Sequence, residues 1–249
     1  MVKEALKQLP EYQIIYFGDT ARTPYGNKSS ETIKKYAFQD TDFLIKKGAK
    51  LIIVACNTAS AVAFQDLNDK FDVPIFEVIT PAVEKAVSVS KNKRIGIIGT
   101  RATINSQVYE KQIKEINQKI AVFSQACPLL VPLIEENWLK KPELKTIVKK
   151  YLYPLKLKQI DTLILGCTHY PIIKDLVQIK MGKGVKLVDS ASEVVLEVKK
   201  FLDANKEIEK RLLKGKEHAF LLSDIAPKAR EIGNQWLETN IKFQLANLE

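Results

Sequence analysis

LIIVACNTAS, at 51–60, is the stretch on which the fold turns. Five apolar residues run without a break, three of them β-branched, and then yield at Cys56 to small polar residues. A run that short, with no polar alternation, fits a strand covered on both faces, as in parallel sheets flanked by helices. The arrangement returns in LILGCTHYP at 163–171, where a second apolar run ends in Cys167 and is followed by residues able to hydrogen-bond.

Similar runs recur along the chain. Strands are expected at 13–17, 50–55, 74–79, 94–99, 120–124, 162–166, 185–189 and 218–222. Helical periodicity fills the intervals at 30–47, 103–118 and 192–204, the first opened by SSET with Ser29 or Ser30 as cap. Alternating strand and helix argue for an α/β fold with parallel sheets. Two places look like crossovers, near Thr80–Pro81 and near Asp189–Ser190. They suggest a discontinuous layout of two similar domains, residues 1–79 plus 190–249 and residues 80–189, with a ligand cleft between them.

The chain has 249 residues, enough for one large or two modest cores, and 46% of them are hydrophobic, as in an ordinary globular protein. Its longest apolar runs are far too short to span a bilayer, and the opening MVKEALKQLPEYQ carries no apolar signal segment. A cytoplasmic, non-membrane protein is expected. The net charge of +10 raises the question of nucleic acid. Arginine, the residue of planar bidentate recognition, occurs only as Arg22, Arg94, Arg101, Arg211 and Arg230, and the lysines are dispersed as on solvated helix faces. No nucleic-acid partner is expected; a diffuse positive field suits a small acidic substrate. Three cysteines without a CxxC pair, and only His169 and His218, leave too few ligands for a zinc or iron–sulfur site, so no metal is expected.

In open parallel sheets, ligands bind beyond the carboxyl ends of the strands. Cys56 and Cys167 both belong there, one in each proposed domain. Cys127, in QACPLLVPL, reads as a small buried hydrophobe. Two thiols opposed across a cleft suit inversion at carbon: one thiolate takes a proton from one face while the other thiol delivers one to the opposite face. The developing charge needs donors in a water-poor site, for which Asn57, Thr58 and Thr168 are candidates. His169, two residues beyond Cys167, is placed to tune that thiol or to hold a substrate carboxylate. Glu135, in PLIEEN, either caps a surface helix or reaches the cleft. In FGDTARTPYGNKSS, at 17–30, the Tyr25–Gly26 backbone could donate to a carboxylate and Asp19 could meet an ammonium group.

Together GDTARTPYG, ACNTASA, CPLLVPLIEE and GCTHYP resemble the glutamate racemases of the aspartate/glutamate racemase family, across nearly the whole chain. The resemblance implies a cofactor-independent enzyme that interconverts L- and D-glutamate and supplies D-glutamate for peptidoglycan. It implies two similar α/β domains, usually in homodimers, with the site between them. It makes Cys56 and Cys167 the acid/base pair, the first acting on the D-enantiomer and the second on the L-enantiomer. Glu135 and His169, with Asp19, become auxiliary catalytic groups. Tyr25, Gly26, Asn57, Thr58, Thr100, Thr103, Thr168 and His169 become substrate-binding positions. Family members open on a strand ending in Asp-Ser-Gly-x-Gly-Gly, whereas Met1 stands at the first helix here. A truncated chain with weak racemization, and strands left with unpaired edges, is the expectation that follows. Alternatives are a racemase of aspartate or another acidic amino acid, or a catalytically dead binding homologue; a thiol redox role lacks a nearby resolving cysteine.

Overall fold

The computed structural model describes residues 1–225, 233, 236 and 241–247. Helix α1 (Val2–Gln8) precedes β1 (Ile15–Gly18), a 3-10 turn at Tyr25–Asn27, α2 (Ser30–Lys46), β2 (Ile52–Val54), α3 (Asn57–Lys70) and β3 (Ile75–Glu77). Then come α4 (Ile79–Val89), β4 (Arg94–Gly99), α5 (Arg101–Asn105), α6 (Val108–Ile116), β5 (Ala121–Ala126), α7 (Leu130–Glu135), α8 (Pro142–Leu157) and β6 (Thr162–Gly166). A second 3-10 turn (Tyr170–Ile173) leads to α9 (Lys174–Met181), β7 (Lys186–Asp189), α10 (Ser190–Ala204), α11 (Lys206–Glu209), β8 (Ala219–Leu222) and β9 (Gln244–Leu245).

Every ladder between these strands is parallel. The four-stranded sheet runs β5-β4-β6-β7, with Ile97 beside Ile164 in register. It shows why the inner positions of its central strands β4 and β6 are apolar on both faces. Successive side chains point to opposite faces. Ile95, Ile97 and Ile164 pack with α4, α6 and α10, while Ile98, Leu163 and Leu165 pack with α7, α8 and α9. All six are 0% exposed. Burying one such side chain is worth roughly 1.5–3 kcal/mol, and the polar Thr162, also 0% exposed, has its hydroxyl hydrogen-bonded to Asp161.

Local chemistry sets the helix starts. Ser29 caps α2, its Oγ accepting from Thr32 N–H at 3.3 Å, and Asp189 caps α10 by accepting from Ala191 N–H at 3.0 Å. Glu77 accepts from Ile79 and Thr80 N–H at the start of α4. The single helix expected at 103–118 is two. α5 stops at Asn105 and α6 begins at Val108, because Gln107 takes a left-handed conformation with φ 56° and ends the ladder.

The remaining strands differ from the single sheet expected of a domain. They form two separate sheets, β1-β8-β9 and β2-β3. The same helices cover both: Phe17 of β1 stacks on Phe43 of α2, and Ile33 and Ala37 of α2 pack with Ile52 of β2. No described strand joins β1 to β2. Each therefore has an unpaired edge, and Ile15, Tyr16, Phe17, Ile53 and Val54 are only half-buried.

Candidate active site

Two of these strands deliver the thiols. Cys56 follows β2 as the cap of α3, and Cys167 follows β6 and is 7% exposed. Burial pushes the Cys56 thiol up; the Ala59 and Thr58 N–H groups at the start of α3 pull it back, and a charge on Cys167 pushes it up again. Cys56 and Cys167 thus stand at the ends of β2 and β6, within electrostatic reach of one another.

Behind Cys167 stands a relay. His169 Nδ1 lies 3.8 Å from Cys167 Sγ and 3.3 Å from Thr168 Oγ1, and its Nε2 lies 3.1 Å from Glu135 Oε1 at the end of α7. Burial opposes a charge on His169, but its bonds with Cys167 and Glu135 outweigh burial and raise its pKa to about 10. At neutral pH the ring is then an imidazolium that donates from both nitrogens, one toward Cys167 Sγ and one to the Glu135 carboxylate. Glu135 thus places its carboxylate on His169. Trp236 meets the His169 ring edge-on, with centroids 5.9 Å apart.

Around Cys56 the small polar residues gather. Thr58, Thr100 and Thr103 close a triangle of hydroxyls, with Thr58 Oγ1 2.9 Å from Thr100 Oγ1 and 3.3 Å from Thr103 Oγ1, and Thr100 3.0 Å from Thr103. Thr100 caps α5, its hydroxyl accepting from Thr103 N–H. Gly26 abuts the same triangle. A Cβ there would sit 2.6 Å from Thr100 Cβ, so the Tyr25–Asn27 turn approaches only because Gly26 has no side chain. Asn57, 2% exposed, has its Oδ1 engaged by Tyr109 and its Nδ2 without a partner.

Asp19 is engaged within its own turn. Both its oxygens accept from Arg22 Nε, at 2.9 and 2.7 Å; Tyr25 Oη donates to Oδ2, and Ser223 Oγ donates to Oδ1 at 3.0 Å. A carboxylate so engaged, and 8% exposed, braces the turn. Asp40 of α2 completes the brace, accepting from Tyr25 Oη at 2.9 Å and from Arg22 Nη2 at 2.6 Å. Burial, with Asp19 nearby, raises Asp40 to about 7 against the pull of Tyr25 and Arg22. Arg22, Asp40, Tyr109 and Trp236 went unnoticed in the sequence. A buried tyrosine needs a hydroxyl partner, but Tyr109 occupies an ordinary core position of an amphipathic helix. Cys127 is fully buried in the core, as read, and burial pushes its thiol far up.

The chain matches the Asp/Glu/hydantoin racemase family model over residues 1–198. It is 42% identical over 237 residues to the glutamate racemase of Geobacter metallireducens, covering 95% of this chain and 87% of that one. To the glutamate racemase of Enterococcus faecalis it is 42% identical over 249 residues, covering 100% of this chain and 91% of the relative. Among solved structures, glutamate racemase isoform RacE1 from Bacillus anthracis superposes with a TM-score of 0.94 at 34% identity, covering 99% of this chain and 92% of that one. The Francisella tularensis glutamate racemase, solved in complex with D-glutamate, gives 0.91 at 39% identity, covering 100% and 92%. Strand-end thiols, full-length likeness and matching architecture agree: this chain belongs to the Asp/Glu/hydantoin racemase family.

Proposed function

We propose that the protein interconverts L- and D-glutamate by proton transfer between Cys56 and Cys167. The observation that carries this reading is the pair of thiols at the ends of two parallel strands, close enough to influence one another. One thiolate takes the α-proton; the C–H bond breaks and its electron pair delocalises into the substrate carboxylate. The other thiol gives its proton to the opposite face, so inversion leaves the thiolate on that side. The two sulfurs exchange roles, and the atoms balance without a cofactor.

The surroundings suit each step. His169, held by Glu135, donates toward Cys167 Sγ. The start of α3 lends backbone N–H groups to Cys56. The unpartnered Asn57 Nδ2 and the threonine hydroxyls are donors for carboxylate oxygens. The reading sets the cleft between residues 1–79 plus 190–249 and residues 80–189; the separate sheets on either side support that division. D-Glutamate for peptidoglycan, a cytoplasmic location and a homodimer complete the reading, supported by likeness to glutamate racemases. No described helix is long and apolar enough to cross a membrane.

The test follows the α-proton signal of L-glutamate in deuterated water together with optical rotation. Loss of both signals, with rotation held constant by either Cys56→Ser or Cys167→Ser, is the expected result. A folded chain that leaves glutamate unchanged, or turnover indifferent to both substitutions, would overturn the reading. Aspartate in parallel separates the related substrate.

A further inference from the structure

The amide of Asn57 has two ends of similar shape, and only its hydrogen-bond partners decide which faces where. One end is held across the fold. Tyr109 of α6 donates its hydroxyl to Asn57 Oδ1 at 2.6 Å, and each residue is 2% exposed. The other end, Nδ2, is buried and has no partner among the described residues. Reversing the amide would place Nδ2 against the phenol oxygen, strand the phenol proton and make Oδ1 the orphan. The observed orientation satisfies the phenol and leaves a donor over. A buried donor without a partner is costly, and Asn57 directly follows Cys56.

We propose that Tyr109 is a positioning residue which fixes the Asn57 amide so that Nδ2 is offered as a donor to an acceptor-only group of the substrate, its carboxylate. The inference rests on the function proposed above. Burial, with Glu77 and Cys167 nearby, keeps the phenol protonated, so it remains a donor throughout the neutral range. Because Asn57 begins α3 and Tyr109 belongs to α6, the donor is set only while these two helices hold their present relation.

The experiment measures the dissociation constant of D-glutamate by calorimetry, and kcat and KM by polarimetry, for the full chain and three variants. Tyr109→Phe keeps the ring that packs in the core and removes only the hydroxyl. It should weaken binding about tenfold, the effect of losing one well-placed hydrogen bond, and raise KM correspondingly with kcat within about twofold. Asn57→Asp cannot donate from either oxygen and should weaken binding more. In the double variant the Tyr109 effect should vanish, because no amide remains to orient; a merely structural tyrosine would show additive losses. Unchanged affinity in Tyr109→Phe, or additive losses, overturns the inference. Binding without turnover in the wild type would sink the proposed function and leave this test intact; absence of binding would sink both.

Discussion

Cys56 and Cys167 were legible in the sequence because each ends an apolar run, and a thiol at that point has no packing reason to be followed twice by hydrogen-bonding residues. The partners of Asp19 were not legible, for the opposite reason. Its partners include Ser223, 204 positions away, and no local pattern announces such a contact. Tyr109 was missed likewise, since it meets Asn57 from 52 positions off. At this scale one titration is open to test. The folded-state pKa of His169 lies above the ordinary imidazole value, so its stabilising contribution is complete below about pH 6.5. That contribution fades as pH rises toward about 10, where the ring loses its charge. Glu135→Gln, which removes one partner, should therefore lower the unfolding temperature most near pH 6 and least near pH 10. Scanning calorimetry of both proteins across that range checks it; a difference that grows with pH would contradict the charged imidazole.

Among elements, strands were easier to read than breaks. β4 and β6 fall at 94–99 and 162–166, as the sequence pattern placed them, because helices on both faces demand apolar side chains along their inner positions. The interruption at Gln107 left no such trace. Ser106 and Gln107 are tolerable helix residues, and the turn is imposed by packing α5 and α6 against different neighbours. Gln107 accepts a left-handed backbone that costs a non-glycine residue roughly 1–2 kcal/mol. Gln107→Gly should relieve part of that strain while adding freedom to the unfolded chain. A net gain of about 0.5–1 kcal/mol in urea unfolding is expected, with turnover unchanged. A loss of stability would mean that the Gln107 side chain contributes more than its backbone costs.

Across the whole molecule, the fold class followed from alternation of strand and helix, but strand pairing did not, because parallel neighbours lie far apart in the chain. β1 pairs with β8 some two hundred residues later. The two sheets that result, each with an edge at β1 or β2 that no described strand pairs, also bear on how copies of the protein behave together. Bare edges are templates for strand addition by another chain, and the β2 edge lies within the apolar stretch that ends at Cys56. What restrains such addition is the net charge of +10, which repels one copy from the next over a distance set by dissolved salt. Colloidal stability should thus depend on ionic strength. Light scattering at fixed protein concentration should stay flat near 0.02 M sodium chloride and climb as salt approaches 0.5 M, where screening contracts to about 4 Å. A proline placed at Ile53 to blunt the edge should suppress the climb; the charge that suits an acidic substrate would then also be what keeps the protein dispersed.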